Sequence, residues 1–375
     1  MRILFTGGGT GGHIFPIIAV IRQLKKKYNQ ENNLEIFFLG APAGVSFSNV
    51  LENEGIKTKM ILTGKIRRYF SIKNILDFFK MPIGLLQSLW YLYIWMPDVI
   101  FNKGGFGSVP VVFAGWLYGI PILTHESDMV PGLANRFGSK FSKRIAISFD
   151  KSGEYFSKNK TALIGNPIRE EMVKTCLSNN PDDKEKARNL LGLTSQNPVI
   201  FIFGGSQGAK VLNQAILRIL PRLLEKYEII HQCGSKNFEE IKKETNQISL
   251  ISSYHPFPFL NEDQITAAYL LSNLVISRAG AGSISEIAAC GKPSILIPLT
   301  NSSGDHQKKN AFVYVQAGAS SILEQENLTP NLFLNEINKI LDNSELIQKM
   351  SINAKNFAMP EAAQKIAESL IEMGE

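Results

Sequence analysis

Met1-Arg2-Ile3-Leu4-Phe5-Thr6-Gly7-Gly8-Gly9-Thr10-Gly11-Gly12-His13 runs from an apolar stretch directly into a glycine turn. The same grammar recurs twice. Val199-Ile200-Phe201-Ile202-Phe203 leads into Gly204-Gly205-Ser206-Gln207-Gly208-Ala209. Leu274-Val275-Ile276-Ser277 leads, past Arg278, into Ala279-Gly280-Ala281-Gly282-Ser283. Glycine lets a backbone turn with positive φ and lets its N–H groups approach a ligand closely. A helix that starts there aims unpaired N–H groups and a partial positive charge at an anion. Strand, glycine turn and helix, repeated in both halves, predict an α/β protein that handles phosphate.

Outward from these turns the alternation continues. In the first half strands are expected at 2–6, 34–39, 98–101, 120–125, 144–148 and 161–164, with helices at 14–28 and around 45–54. Pro16 suits a first helical turn. Gly165-Asn166-Pro167-Ile168-Arg169 then breaks the pattern, and a polar stretch follows at 175–185. The second half restarts with strands at 198–203, 228–232, 249–252, 274–277 and 294–298, and helices at 209–226, 236–245, 265–272 and 283–290. From 330 onward two helices are expected, the last at about 361–373. Such alternation argues parallel sheets covered on both faces. The expected architecture is two Rossmann-like domains facing a central cleft, 1–168 and 169–355, with a C-terminal helix in 356–375 packing back toward the first.

The bulk properties agree with a folded, two-domain chain: 375 residues, 44% hydrophobic and 19% charged. The net charge of +7 reflects either scattered surface lysines or attraction to an anionic membrane or a phosphate-bearing substrate. No nucleic-acid partner is expected. Cys176, Cys233 and Cys290 are far apart and form no CxxC, which argues against a zinc site or a disulfide framework and fits a reducing compartment. No H-x-x-x-H, H-E-x-x-H or Asp-x-Asp occurs, so neither a metal nor another cofactor is expected. The first residues do not read as a signal peptide. The apolar stretch from Pro82 to Pro97 carries Gln87 and Ser88 and falls short of the about 20 apolar residues of a spanning helix.

Gly7, Gly9 and Gly12 spell G-x-G-x-x-G, but a dinucleotide site also wants an acidic residue at the end of the second strand. Here that strand ends Phe38-Leu39-Gly40, and Thr10 and His13 are atypical, which weighs against a nicotinamide dehydrogenase. His13 either braces a neighbouring strand or serves as general base or donor to a substrate oxygen. Ser283-Ile284-Ser285-Glu286 is either a capping box or a carboxylate placed for ribose hydroxyls. His125-Glu126-Ser127-Asp128 lies at a strand's carboxyl end, where open α/β sheets bind ligands; it is an acid–base cluster or a solvated loop. Asp305-His306-Gln307 either holds sugar hydroxyls or is a plain connection. Between 72 and 96, Ile75, Leu76, Phe78, Phe79, Met81, Leu85, Leu86, Leu89, Trp90, Leu92 and Tyr93 exceed one buried helix face. With Lys65, Arg67, Arg68, Lys73 and Lys80 beside them, they form either a core helix pair or an interfacial membrane patch.

Taken together, Gly-Gly-Thr-Gly-Gly-His at 8–13, Gly-Gly at 104–105, His-Glu at 125–126, Pro-Gly-Leu-Ala-Asn at 131–135, Gly-Asn-Pro-Ile-Arg at 165–169, Gly-Gly-Ser-Gln-Gly-Ala at 204–209, Arg-Ala-Gly-Ala at 278–281, Ser-Glu-Ile-Ala at 285–288 and Asp-His-Gln at 305–307 resemble the MurG family, in order, from residue 1 to about 370. The resemblance implies a GT-B fold and an inverting transfer of N-acetylglucosamine from UDP-N-acetylglucosamine to the 4-hydroxyl of undecaprenyl-pyrophosphoryl-MurNAc-pentapeptide, converting lipid I to lipid II in peptidoglycan synthesis. It implies a peripheral protein on the cytoplasmic side of the cell membrane, docked on the anionic inner-membrane surface, with cell-wall synthesis proteins as partners.

Carried over by motif, Ser206, Gln207 and Gly208 meet the donor diphosphate. Arg278, Ala281, Gly282 and Ser283 border the nucleotide, Glu286 takes the ribose hydroxyls and Gln307 the sugar hydroxyls. Arg169 approaches the donor, and the backbone near Leu260 reads uracil. The resemblance likewise implies that Thr10, Gly11, Gly12, His13 and the 104–108 turn, Gly105 included, face the acceptor's diphosphate and sugar. The base is expected in His13, with Glu126 and Asp128 as rivals. Two departures stand out: the family's His-Glu-Gln-Asn is His125-Glu126-Ser127-Asp128, and the aromatic-Val-Ser turn is Phe106-Gly107-Ser108. The other readings are a related UDP-sugar transferase with another lipid acceptor, a UDP-N-acetylglucosamine 2-epimerase, and a UDP-sugar sensor without turnover.

Overall fold

The computed structural model describes residues 1–8, 11–27, 34–41, 50–64, 72–178, 180–205, 209–248, 250–300 and 302–375, with the side chains of 72–79 and Ser303 left out. The chain divides into two compact units, Met1–Arg169 with Pro360–Glu375, and Glu170–Met359. The first holds β1 (Arg2–Thr6), β2 (Glu35–Gly40), β3 (Lys57–Met60), β4 (Val99–Asn102), β5 (Ile122–Glu126), β6 (Arg144–Ile147) and β7 (Thr161–Leu163), in the order β3-β2-β1-β4-β5-β6-β7. The second holds β8 (Val199–Phe203), β9 (Glu228–Gln232), β10 (Tyr254–Phe257), β11 (Ser272–Ser277), β12 (Ser294–Leu296) and β13 (Ser320–Ile322), in the order β10-β9-β8-β11-β12-β13. Every pairing is parallel.

Both are Rossmann-like sheets, as the glycine turns predict. The central strands are covered on both faces, which is why they read as unbroken apolar runs: Ile3, Leu4 and Phe5, and Ile200, Phe201 and Ile202, have no exposed surface. Strand order reverses between β1 and β4, and again between β8 and β11. The crevice at the carboxyl ends of such a pair is where doubly wound sheets take ligands.

In the first unit, helix Gly11–Lys27 lays Ile14, Ile17, Ile18, Ile21 and Leu24 on the sheet at helical spacing. It starts before the expected residue 14, so Pro16 is its sixth residue and not part of the first turn. Helix Ala362–Gly374 joins the same core through Ala363, Ile366, Ala367, Leu370 and Met373, which cluster with Ile3, Phe5, Val99 and Phe101. Two ion pairs fasten its outer face, Lys27 to Glu368 at 2.5 Å and a two-pronged Arg144–Glu372 pair at 2.7 and 2.6 Å.

Several expectations need correction. The tail forms three helices, Pro330–Leu341, Ser344–Phe357 and Ala362–Gly374, because Asn343 caps a fresh start through Leu346 N. The strand expected at 249–252 lies at Tyr254–Phe257 instead, after a left-handed Leu250 and a short 3-10 turn at Ile251–Ser253. Its Pro256 is tolerated because β10 is an edge. Cys176 and Cys290, 114 residues apart, come together as a disulfide pair with Cα atoms 5.2 Å apart, against the expectation of no disulfide. One closes helix Glu170–Cys176 and the other caps helix Ala281–Ala289, a proximity that spacing in sequence does not reveal.

Candidate functional site

In the first unit the candidate residues gather at the carboxyl ends of β1, β4 and β5. Gly7 and Gly8 leave β1; Gly9 and Thr10 lie outside the described residues. After β4 the chain turns through Gly104 and Gly105, both with φ near +90° (90° and 87°). A Cβ on Gly105 would meet the backbone of Gly8 at 3.1 Å, so the two glycine turns pack directly on one another. Gly11 is buried, Gly12 exposed, and His13 is the third residue of its helix and partly buried. The His13 ring bonds to the Gly8 backbone. Burial, and then the Lys103 ammonium, pushes its imidazole down to about 4, so it is neutral near pH 7.

Glu126 ends β5 and is 3% exposed. Its carboxylate accepts from Asp128 N at 2.9 Å, Gly132 N at 3.3 Å and Asn135 Nδ2 at 2.8 Å. Burial, and then the Asp128 charge, push its pKa up to about 7, while the Asp128 N–H, the Asn135 amide and the Lys103 ammonium pull it back. A carboxylate so enclosed anchors the 127–132 loop and has little room to reach a substrate. Asp128 is partly buried beside His13 and Lys103. His125 is fully buried and neutral in role, accepting from Lys103 Nζ at 2.8 Å through Nδ1 and donating from Nε2 to Gly165 O at 2.9 Å. Arg169 is 6% exposed, and its guanidinium stacks over Phe15 at 5.5 Å within this unit. Lys103 is not among the sequence candidates, although a lysine just after an apolar strand and before a glycine pair is itself a signal; Asn135 and Asn166 enter there only as members of the family motifs, with no role of their own.

In the second unit the candidates again edge the switch point. Gly204 and Gly205 leave β8; Ser206, Gln207 and Gly208 lie outside the described residues. Gln232, from β9, donates to Gly205 O at 3.4 Å and accepts from Leu260 N at 3.1 Å. The backbone N–H of Leu260 is therefore engaged within the protein. Helix Ala281–Ala289 begins right after Gly280, with Ala281, Gly282 and Ser283 as its first three residues. Ser283 thus sits inside the helix and not at the cap, so the capping-box reading of Ser283 and Glu286 fails. Glu286 instead accepts from the Tyr269 hydroxyl at 3.1 Å. Arg278, 6% exposed, donates to Ile297 O, Pro298 O and Gln325 Oε1 at 3.0, 3.3 and 2.7 Å, clamping the loops beside the turn. Gln307 accepts from Leu299 N at 2.9 Å.

The apolar segment forms one helix, Ile72–Trp95. Gly84, Ser88 and Leu92 face the protein, whereas Leu86, Trp90, Tyr93 and Ile94 are 67, 62, 66 and 50% exposed. Trp116, Leu117 and Tyr118 extend this apolar surface, and Tyr118 ties to it by donating to Leu89 O at 3.3 Å. Lys80 is exposed at its near end. Lys65, Arg67, Arg68 and the side chains of Lys73, Ile75, Leu76, Phe78 and Phe79 lie outside the described residues. Among the described residues no helix is long and apolar enough to cross a membrane.

Residues 3–147 match the glycosyltransferase family 28 N-terminal domain, and 199–366 match its C-terminal domain. A Bacillus cereus protein, named UDP-N-acetylglucosamine--N-acetylmuramyl-(pentapeptide) pyrophosphoryl-undecaprenol N-acetylglucosamine transferase 2, is 37% identical over 373 residues, covering 99% of each chain. The crystal structure of Acinetobacter baumannii MurG superposes with a TM-score of 0.74 at 26% identity, covering 99% of each chain. A UDP-GlcNAc 2-epimerase from Neisseria meningitidis, solved bound to UDP-GlcNAc, gives a TM-score of 0.67 at 16% identity over 99% of this chain and 100% of that one, a likeness of fold alone.

Proposed function

The chain belongs to the MurG family of glycosyltransferases, and from that membership we propose that it transfers N-acetylglucosamine from UDP-N-acetylglucosamine to the 4-hydroxyl of the muramyl sugar of undecaprenyl-pyrophosphoryl-MurNAc-pentapeptide. The observation that carries this reading is identity of 37% along essentially the whole chain with a transferase of that name. The epimerase reading has only a shared fold behind it.

In this reading the first unit takes the acceptor and the second the donor. The acceptor hydroxyl attacks the anomeric carbon while its proton passes to a base. The C1–O bond breaks with its electron pair leaving on UDP, which inverts the configuration. His13 suits the base, being neutral near pH 7 and standing at a helix start beside the acceptor turns. Asp128 is the rival; Glu126 is better cast as the anchor of its loop. The N–H groups opening helix Ala281–Ala289 suit the growing charge on the leaving diphosphate, and Ser206, Gln207 and Gly208 share that role by motif. In this reading Glu286, which accepts from the Tyr269 hydroxyl, takes the ribose hydroxyls, and Gln307 the sugar. The exposed face of helix Ile72–Trp95 seats the protein on the cytoplasmic side of an anionic membrane, where a polyprenyl acceptor resides.

The test is transfer of labelled N-acetylglucosamine from UDP to a lipid I analogue, with muramyl-free polyprenyl lipids and donor alone as controls. Label should appear in the muramyl lipid only. Transfer to a muramyl-free lipid would point to another acceptor, and conversion of the donor by itself would point to an epimerase. Donor binding without any turnover would leave a sensor.

A further inference from the structure

β11, β12 and β13 lie side by side, and the chain leaves β12 into a stretch that runs to Gln307, in the first turn of helix His306–Gln316. Two side chains from the flanking strand ends grip this stretch. From just past β11, the Arg278 guanidinium donates to its first two carbonyls, Ile297 O at 3.0 Å and Pro298 O at 3.3 Å. From the short 3-10 turn Gln325–Asn327, which follows β13, Gln325 Nε2 donates to Thr300 Oγ1 at 2.8 Å. The two grips are joined, because Arg278 Nη2 donates to Gln325 Oε1 at 2.7 Å. A guanidinium has only donors, whereas a carboxamide has one accepting end and one donating end. Arg278 therefore claims the oxygen of Gln325, and the nitrogen is turned onto Thr300.

The gripped stretch in turn holds Gln307. Leu299, next to Thr300, donates its backbone N–H to Gln307 Oε1 at 2.9 Å, and Gln307 N donates to Ser302 Oγ at 3.3 Å. Asn301 lies outside the described residues. A path of bonds thus leads from Arg278 through Gln325 to Thr300, and one residue back along the chain to the carboxamide of Gln307. Arg278 is almost fully buried, and Gln325 and Thr300 are partly buried. The ion pair of Lys308 with Glu324 at 2.5 Å spans the same two elements, but both side chains are largely in solvent and such pairs contribute little.

We propose that Gln325 is a positioning residue for the N-acetylglucosamine half of the donor: it ties Arg278, beside the nucleotide, to the stretch that presents Gln307 to the sugar. The parts given to Arg278 and Gln307 rest on the transferase reading above. A stretch already held in place loses less freedom when the sugar arrives, and that saving appears as affinity. The nucleotide alone makes no use of it. One neutral hydrogen bond in such a tie is worth about 3- to 10-fold in affinity.

The experiment uses the full chain and two ligands, UDP and UDP-N-acetylglucosamine, titrated by calorimetry. Thr300→Val keeps the side chain's shape and removes the acceptor, Thr300→Ser keeps the hydroxyl, and Gln325→Met keeps length and removes both polar ends. Thr300→Val should weaken UDP-N-acetylglucosamine by about 3- to 10-fold and leave UDP within about twofold of wild type. KM for the donor should rise by the same factor, with kcat moving less. Gln325→Met should weaken the sugar nucleotide at least as much, and Thr300→Ser should return to wild type. Hydrogen exchange over 297–307, without ligand, should quicken in Thr300→Val and Gln325→Met. Quicker exchange with both affinities unchanged would mean a merely structural tie, and equal losses for UDP and UDP-N-acetylglucosamine would mean no role at the sugar; either overturns the proposal. If Gln325→Met fails to fold, Thr300→Val decides alone. A wild type that binds UDP-N-acetylglucosamine but transfers nothing to a lipid I analogue would sink the transferase reading, while the split between the two ligands still judges Gln325. A wild type that binds neither ligand would sink both.

Discussion

Replacing Leu86, Trp90 and Tyr93 together by serine should release the protein from anionic bilayers without unfolding it. The three side chains stand out from helix Ile72–Trp95, 67, 62 and 66% exposed, while its opposite face is buried. That inner face is tightly seated, because a Cβ at Gly84 would run into the carbonyl of Leu62. An aromatic side chain offers up to about 250 Å², so Trp90 at its observed exposure has about 150 Å² to remove from water. At about 25 cal/mol per Å² the ceiling is about 4 kcal/mol, and insertion to half depth gives about 2 kcal/mol, or a roughly 30-fold change in partitioning. Leu86 and Tyr93 add to this, so the triple variant should fall more than about 100-fold. Co-flotation with phosphatidylglycerol-containing vesicles measures it, with circular dichroism to show that the fold persists. Binding should also weaken with salt if lysines and arginines rim the patch. A triple variant that floats within about threefold of wild type, a difference of less than about 0.7 kcal/mol, would refute the assignment of this face.

His13→Ala should lower kcat by about 10²- to 10⁴-fold with little change in KM for the donor, and near-normal turnover would remove His13 from the role of base. Tyr269→Phe deletes the donor that orients Glu286 at 3.1 Å, and should raise KM for UDP-N-acetylglucosamine about 10-fold; an unchanged KM would mean that Glu286 does not meet the ribose. Leu370→Ala opens a cavity where the C-terminal helix meets the first sheet and should cost about 2–5 kcal/mol in chemical denaturation. A loss under about 1 kcal/mol would show that this helix adds little to the core.

Much of the architecture is legible because buried parallel strands must be apolar on both faces. β1, β4, β8 and β11 announce themselves that way, each within two residues of where it is expected. The strands that escape notice or shift are sheet edges: β3 reads Lys57-Thr58-Lys59-Met60, β10 carries Pro256, and β13 has only three residues. An edge strand pairs on one side only and tolerates charge and proline, so its pattern is weak. The candidate site divides on a similar line. His13, Glu126 and Glu286 are visible because each sits within a local motif. Lys103 is not, since its acceptors come from 22, 24 and 63 residues away. Tyr269 gains its meaning only from Glu286, 17 residues on, and Cys176 from Cys290 across 114.

The C-terminal helix also sets a timetable. The core that Ile3, Phe5, Val99 and Phe101 begin is completed by Ala363, Ile366, Ala367 and Leu370. Residues 170–359, by contrast, form a contiguous unit. During synthesis that later unit has all its parts while the earlier one still lacks a wall, so the part of the chain made first closes last. Until residues 362–374 emerge, the flank of helix Gly11–Lys27 that they cover stays open as an apolar seam.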